Sequence, residues 1–170
     1  IGVAALANPF VRFYYGSNFE AAIVPLLILL PGAFCYAIAR PIYSIGQGKG
    51  ELRKLIFATG VSATINLFLN VILIPRYGMY GAAVATSIGY GSMLFLQIFV
   101  ARNIGFNPIH GVPVFRILLT GIITGPFLVG VNMTLPPALS LIFTPPLGLV
   151  VFVFASIILG VFDVSELRDI

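Results

Sequence analysis

Few residues in this sequence could do chemistry, and they sit in unusual company. Arg40 stands in a long apolar run, directly before Pro41. Asn66 and Asn70 lie four apart in a second run, so a helix would set both amides on one face. Gln97 occupies a third. A guanidinium in such a place can grip a phosphate through two parallel hydrogen bonds, and amides can hold sugar hydroxyls. Each residue also has a plainer reading. Arg40 falls about 7 Å of helix rise from the end of its segment, close enough to snorkel to an interface. The asparagines could instead join helices, at roughly 0.6 kcal/mol per hydrogen bond in a membrane. Both readings stand, and Arg40, Asn66 and Asn70 are the substrate-binding candidates.

Other chemistry finds no support. His110 is the single histidine and has no acid or cysteine near it in sequence. Cys35 is alone inside an apolar run, which points to an inert thiol rather than a disulfide or metal framework. Paired carboxylates and a glycine-rich phosphate loop are missing. The expectation is a protein with no catalytic residues, no metal and no cofactor. The acids are placed as tellingly: Glu20 and Glu51 fall in connections, and Asp163, Glu166 and Asp169 in the tail. Cation transport and proton relays usually need an intramembrane acid, and the apolar runs offer none.

Those runs define the elements. Hydrophobic residues make up 59% of the chain and charged residues 8%. A soluble domain carries about 25% charge, so this chain could not cover its surface in water. A hydrocarbon core of about 30 Å takes roughly 20 helical residues. Five segments are long enough: Ala21–Ile45, Leu55–Ile74, Tyr80–Val100, Ile117–Leu135 and Leu139–Phe162. Residues 1–20 read as the end of a preceding helix and a connection, and residues 163–170 as a tail. Uniformly apolar runs exclude β-barrel strands, which alternate over about 10 residues. The fold class is therefore all-α, a polytopic transmembrane helix bundle. The chain starts at Ile1, already in apolar sequence, which reads as the C-terminal part of a longer protein.

Charge gives the orientation. Lys49, Arg53, Lys54, Arg102, Arg116 and Arg168 mark one side, and only Arg12 and Arg76 the other. The Lys/Arg bias places the first set, and the tail, in the cytoplasm. The net charge of +4 is scattered and forms no patch, which excludes a nucleic-acid partner. Asn132-Met133-Thr134 matches a glycosylation acceptor on the outer side, a triplet that also arises by chance.

Two further patterns concern packing and bending. Pro25, Pro31 and Pro41 fall in the first span, Pro126 in the fourth, and Pro145 and Pro146 in the last. Each removes a backbone donor and tends to bend its helix. In the third span Gly81, Ala85 and Gly89 recur every four residues, as do Ala83, Ser87 and Gly91. Such rows let helix backbones approach closely, and Gly121 and Gly125 repeat the theme.

The order of these features is familiar. Tyr15-Gly16 with Phe19 and Ala22 precedes a helix closing on Ile45-Gly46-Gln47-Gly48-Lys49. Asn66 and Leu69-Asn70 follow, then Leu73-Ile74-Pro75-Arg76-Tyr77-Gly78, then Gly81-Ala82-Ala83 and Ala85-Thr86. From Tyr15 to Val100 this resembles the C-terminal domain of polysaccharide biosynthesis flippases, within the multidrug/oligosaccharidyl-lipid/polysaccharide exporter superfamily. The resemblance implies two pseudosymmetric lobes around a cavity open alternately to each side of the membrane. It also implies a sugar substrate carried on an isoprenoid pyrophosphate, the lipid tail staying in the bilayer. This chain would then be the C-terminal lobe. Its partners would be the bilayer, the lipid-linked oligosaccharide and the N-terminal lobe of the same protein. Two other readings remain: a multidrug/cation antiporter of the same superfamily, and a membrane scaffold subunit without a substrate path.

Overall fold

The computed structural model describes residues 2–108 and 114–161, which leaves His110 and the tail from 162 onward outside the described residues. Five α-helices follow one another: α1 (Gly2–Tyr15), α2 (Ile23–Gly48), α3 (Leu52–Asn103), α4 (Val114–Thr134) and α5 (Pro137–Ile158). A short 3₁₀ helix, Ser17–Ala22, joins α1 to α2. No strand occurs among the described residues.

α3 is two helices in one. Gly78 adopts φ 55°, ψ −130°, a conformation open to glycine and strained for residues with a Cβ, and the helical path breaks there. The turn announced by Pro75-Arg76-Tyr77-Gly78 thus falls on its last residue, with the helix running through Pro75 first. The arms, 52–77 and 79–103, each rise about 38 Å, enough to cross a bilayer.

Close contacts fix how the arms meet. A Cβ added at Gly81 would collide with the Leu73 carbonyl, and one at Gly89 would lie 2.8 Å from Asn66 Cβ. Further along, Gln97 Nε2 donates to Thr59 Oγ1 at 3.4 Å. Leu73 with Gly81, Asn66 with Gly89 and Thr59 with Gln97 trace one antiparallel seam. The Gly81, Ala85, Gly89 row is buried in it. Ser87, from the second row, serves another neighbour. A Cβ at Gly32 of α2 would come within 2.5 Å of Ser87 Cα, and Ser87 Oγ donates to the Ile28 carbonyl at 2.7 Å. Two rows of small residues on one arm therefore admit two different helices.

The chain divides into two compact units: the described residues of Val24–His110, and those of Ile1–Ile23 with Gly111–Ile170. In the latter, α4 and α5 run antiparallel. Arg116 Nη1 donates to the Gly160 carbonyl at 2.8 Å, and Leu128 packs where Gly148 lacks a side chain. A buried polar seam lies between: Thr120 and Thr124 of α4, Ser140, Thr144 and Ser156 of α5. Thr120 and Thr124 donate to carbonyls one turn earlier in their own helix, so their hydroxyls enter the interior satisfied. Asn132 ties in α1 by donating to the Ala5 carbonyl at 2.9 Å while accepting from Ser140. The amide of the glycosylation triplet is thus committed to packing on both sides.

The outer surface completes the class assignment. Phe57, Phe68, Phe95, Ile142 and Phe154 are all more than 60% exposed, on helices long and apolar enough to span a membrane. In water this would be a prohibitive apolar surface; against acyl chains it is the expected one. The protein is an all-α, multi-pass membrane helix bundle.

Glycine contact at the α3 seam is testable by paired substitutions. Gly89→Ala forces a Cβ against Asn66 and should cost about 1–3 kcal/mol, the usual range for overpacking. Gly91→Ala meets open space and should leave stability within about 0.5 kcal/mol. Thermal unfolding in detergent should show the first variant well below the second; equal midpoints would contradict the seam.

Candidate functional site

Helical spacing builds an open groove of about 480 Å³ in the unit formed by α2 and α3. On α2, Tyr36, Arg40 and Tyr43 follow at intervals of four and three and so share a face. The first arm of α3 contributes Ile56, Thr59, Gly60 and Ala63 by the same rule, and Met93 comes from the second arm. Gly60 matters through what it lacks: nothing lies within 4 Å of where its Cβ would be, so the groove stays open there.

Arg40 is held from one side. Its Cζ lies 5.8 Å from the Tyr36 ring centroid, and that ring in turn packs on Tyr90 with centroids 4.8 Å apart. Tyr36 precedes Arg40 by one turn, so the guanidinium leans back toward the middle of α2. Its helix ends at Gly48, in the other direction. A snorkelling arginine reaches toward its nearest interface; this one folds over an aromatic face. Stacking of this kind contributes about 0.5–1 kcal/mol at exposed sites and orients the guanidinium plane.

Among the described residues no carboxylate neutralises it. The ion pairs among the described residues are Arg12 with Glu20 and Lys54 with Glu51, each at 3.0 Å. Glu20 and Glu51 are also the only acids among the described residues; Glu51 lies between two long apolar segments and Glu20 at the very start of one. The groove therefore carries positive charge with hydroxyls of Tyr43 and Thr59 along its wall. Among the described residues no group of three or more His, Cys, Asp or Glu could hold a metal ion.

The asparagines are placed differently. Thr59, Ala63, Asn66 and Asn70 form one stripe along the first arm, but the groove lining stops at Ala63. Asn66 begins about 4.5 Å further along the axis. There it packs against Gly89, and its Oδ1 accepts from Asn70 Nδ2 at 3.0 Å. Asn70 Oδ1 is buried with no hydrogen-bond partner. The structure thus brings Arg40 into the groove and leaves both asparagines outside its lining, Asn66 in the contact between arms and Asn70 hydrogen-bonded to it. Gln97 is fully buried under Thr59, whose hydroxyl accepts its Nε2–H and donates to the Leu55 carbonyl at 2.9 Å. Gln97 Oε1 is a second unpaired buried acceptor.

Sequence reasoning passed over Tyr36, Tyr43, Thr59 and Gly60. The first two had a readable signal, since tyrosines four before and three after an intramembrane arginine must flank it on a helix. Thr59 and Gly60 had none, because only the fold sets their arm against α2.

Known proteins resemble the chain along much of its length. The probable low-salt glycan biosynthesis flippase Agl15 of Haloferax volcanii is 30% identical over 137 residues, 77% of this chain and 29% of its own. Lipid II flippase MurJ of Bacillus subtilis is 30% identical over 111 residues, 63% of this chain and 20% of its own. The probable multidrug resistance protein NorM of Oceanobacillus iheyensis is 30% identical over 112 residues, 62% of this chain and 22% of its own. This chain spans less than a third of the length of these relatives. No family model matches it, and no solved structure matches it significantly. Over about 60–77% of its length the chain is thus homologous to transporters of the multidrug/oligosaccharidyl-lipid/polysaccharide exporter superfamily.

Proposed function

We propose that the protein carrying this chain moves an isoprenoid-pyrophosphate-linked oligosaccharide across the cytoplasmic membrane by alternating access. This chain acts as the C-terminal lobe facing an N-terminal partner lobe. Its Lys/Arg-rich connections and tail lie in the cytoplasm. The step breaks no covalent bond; the protein supplies a path and a charge match. One observation carries the reading: an arginine held over a tyrosine in an open groove, with no carboxylate among the described residues to neutralise it.

A pyrophosphate presents several acceptor oxygens at fixed spacing, which suits the planar fork of Arg40 better than a point charge. Tyr36 beneath the guanidinium restrains it from one side, so less freedom is lost on binding. Tyr43 adds a hydroxyl within the same wall, while the Thr59 hydroxyl is engaged by the Leu55 carbonyl and Gln97. Beyond the groove, Asn66 fixes the amide of Asn70, whose unpaired oxygen is covered in this conformation and would meet a sugar hydroxyl once the helices shift during alternating access. Likeness to a glycan biosynthesis flippase and a lipid II flippase supports this class of cargo. Likeness to NorM favours a second reading, a multidrug/cation antiporter whose acids would lie outside the described residues.

Hydrogen bonds to charged groups are worth about 1.5–3 kcal/mol. Arg40→Ala should accordingly lower flipping of lipid-linked sugar on the order of 10- to 100-fold, at unchanged membrane insertion. Arg40→Lys, which keeps charge without the fork, should fall between. Flipping assays in proteoliposomes read this; wild-type rates for Arg40→Ala would reduce it to a membrane anchor. Efflux of cationic dyes without sugar flipping would instead establish the antiporter.

The asparagines should separate by role. Asn70→Ala should impair transport with little effect on expression, because it removes an unpaired acceptor. Asn66→Ala should lower both, because Asn66 also fills the space against Gly89. Parallel loss of expression and transport in both variants would make the pair a packing element only.

A further inference from the structure

One cluster is built from residues that do not line the groove and takes no part in the function proposed above. At the end of α1 and in the following 3₁₀ helix, five aromatic side chains touch in a chain. Phe10 packs on Tyr14 and Tyr15, Phe13 on Tyr14, and Tyr15 on Phe19, with ring centroids 5.0–6.2 Å apart. All five are exposed, Tyr14 most of all at 67%. A core cluster would be buried, so these rings are arranged with one another but left uncovered.

The same surface carries an ion pair. Arg12 Nε lies 3.0 Å from Glu20 Oε1, with both side chains about half exposed. Gly16, at φ 83°, makes the bend that brings the 3₁₀ helix back beside the end of α1. Two neighbouring elements therefore present rings, phenolic hydroxyls and a charge pair together. Neither extreme of solvent suits that mixture. Hydrocarbon would leave the charges and hydroxyls unsolvated, and bulk water would leave five rings wet. The layer between them satisfies both, which is why amphipathic aromatics concentrate there. Continuity supports it: a long apolar helix begins at once, at Ile23.

The geometry points to this α1/3₁₀ aromatic patch as a surface that docks into the headgroup–acyl boundary of the bilayer. The rings sit at carbonyl and upper-acyl level, the Arg12–Glu20 pair at the phosphates. The patch fixes the depth of the α1 end.

Site-directed spin labelling of the protein that carries this chain, in liposomes, tests the proposal. Nitroxides go on Tyr14→Cys and, separately, Phe19→Cys, in a background with Cys35→Ala and no other reactive cysteine. Collision with lipid-soluble oxygen and a water-soluble nickel chelate gives depth, calibrated against lipids labelled at the headgroup and along the chain. Both positions should report about 5–10 Å below the headgroup surface, the depth of interfacial apolar faces. Three results would overturn the proposal: nickel collision as for a free aqueous nitroxide, mid-chain depth, or protection from both reagents, which would mean a protein cover. Replacing Tyr14, Tyr15 and Phe19 together by serine should also let a label at Phe13→Cys move toward the nickel-accessible range. An unmoved label would likewise count against the anchor.

Discussion

The close approach of the two arms of α3 is the contact on which the rest of the described α2–α3 unit depends. Gly78 reverses the chain, and Gly81 and Gly89 then let backbones meet where any side chain would hold them apart. Inside a bilayer no hydrophobic force drives helices together, so packing of small residues and a few hydrogen bonds must do it. That seam sets the first arm at the distance from α2 which leaves a groove beside Arg40. Widen it, and Thr59 loses Gln97 while Asn66 loses its seat. The glycines noted first as packing residues thereby determine the shape of the site.

Most polar groups follow the same economy. Between α4 and α5, Thr120, Thr124, Ser140 and Thr144 are satisfied on their own helices, on one another or by Asn132, which binds three helices at one point. Ser156 Oγ is buried there without a partner. The satisfied groups are structural because their hydrogen-bonding capacity is largely spent. Arg40, Asn70 Oδ1 and Gln97 Oε1 differ. Each has capacity left over in the part of the molecule next to the groove. Unspent capacity in a low-dielectric setting is costly to keep, which is the physical ground for connecting these residues with a ligand.

Much of this was legible in the sequence, for reasons that can be named. Apolar runs and scarce charge decide for membrane helices because few other folds could tolerate them. Pro75-Arg76-Tyr77-Gly78 announces a reversal, since only its glycine takes the required backbone angles without strain. The two small-residue rows on the second arm were visible as periodicity, though not that Gly89 meets Asn66 while Ser87 meets α2. The groove was half legible. Arg40 stood out as a charge in an apolar run, but Thr59 and Gly60 look ordinary until the fold sets them opposite it. Asn66 and Asn70 were correctly seen to share a face, yet periodicity alone does not say that the face turns into the seam.

The central claim is that the groove beside Arg40 receives the pyrophosphate of a lipid-linked sugar. Thiol labelling at Gly60→Cys measures this most directly, because that position is exposed, lines the groove and has open space beside it. With Cys35 removed from the intact protein, an isoprenoid-pyrophosphate-linked oligosaccharide should slow labelling severalfold. The same isoprenoid lacking the pyrophosphate should not, and Arg40→Ala should abolish the protection. Equal labelling rates with and without the pyrophosphate lipid would contradict the account.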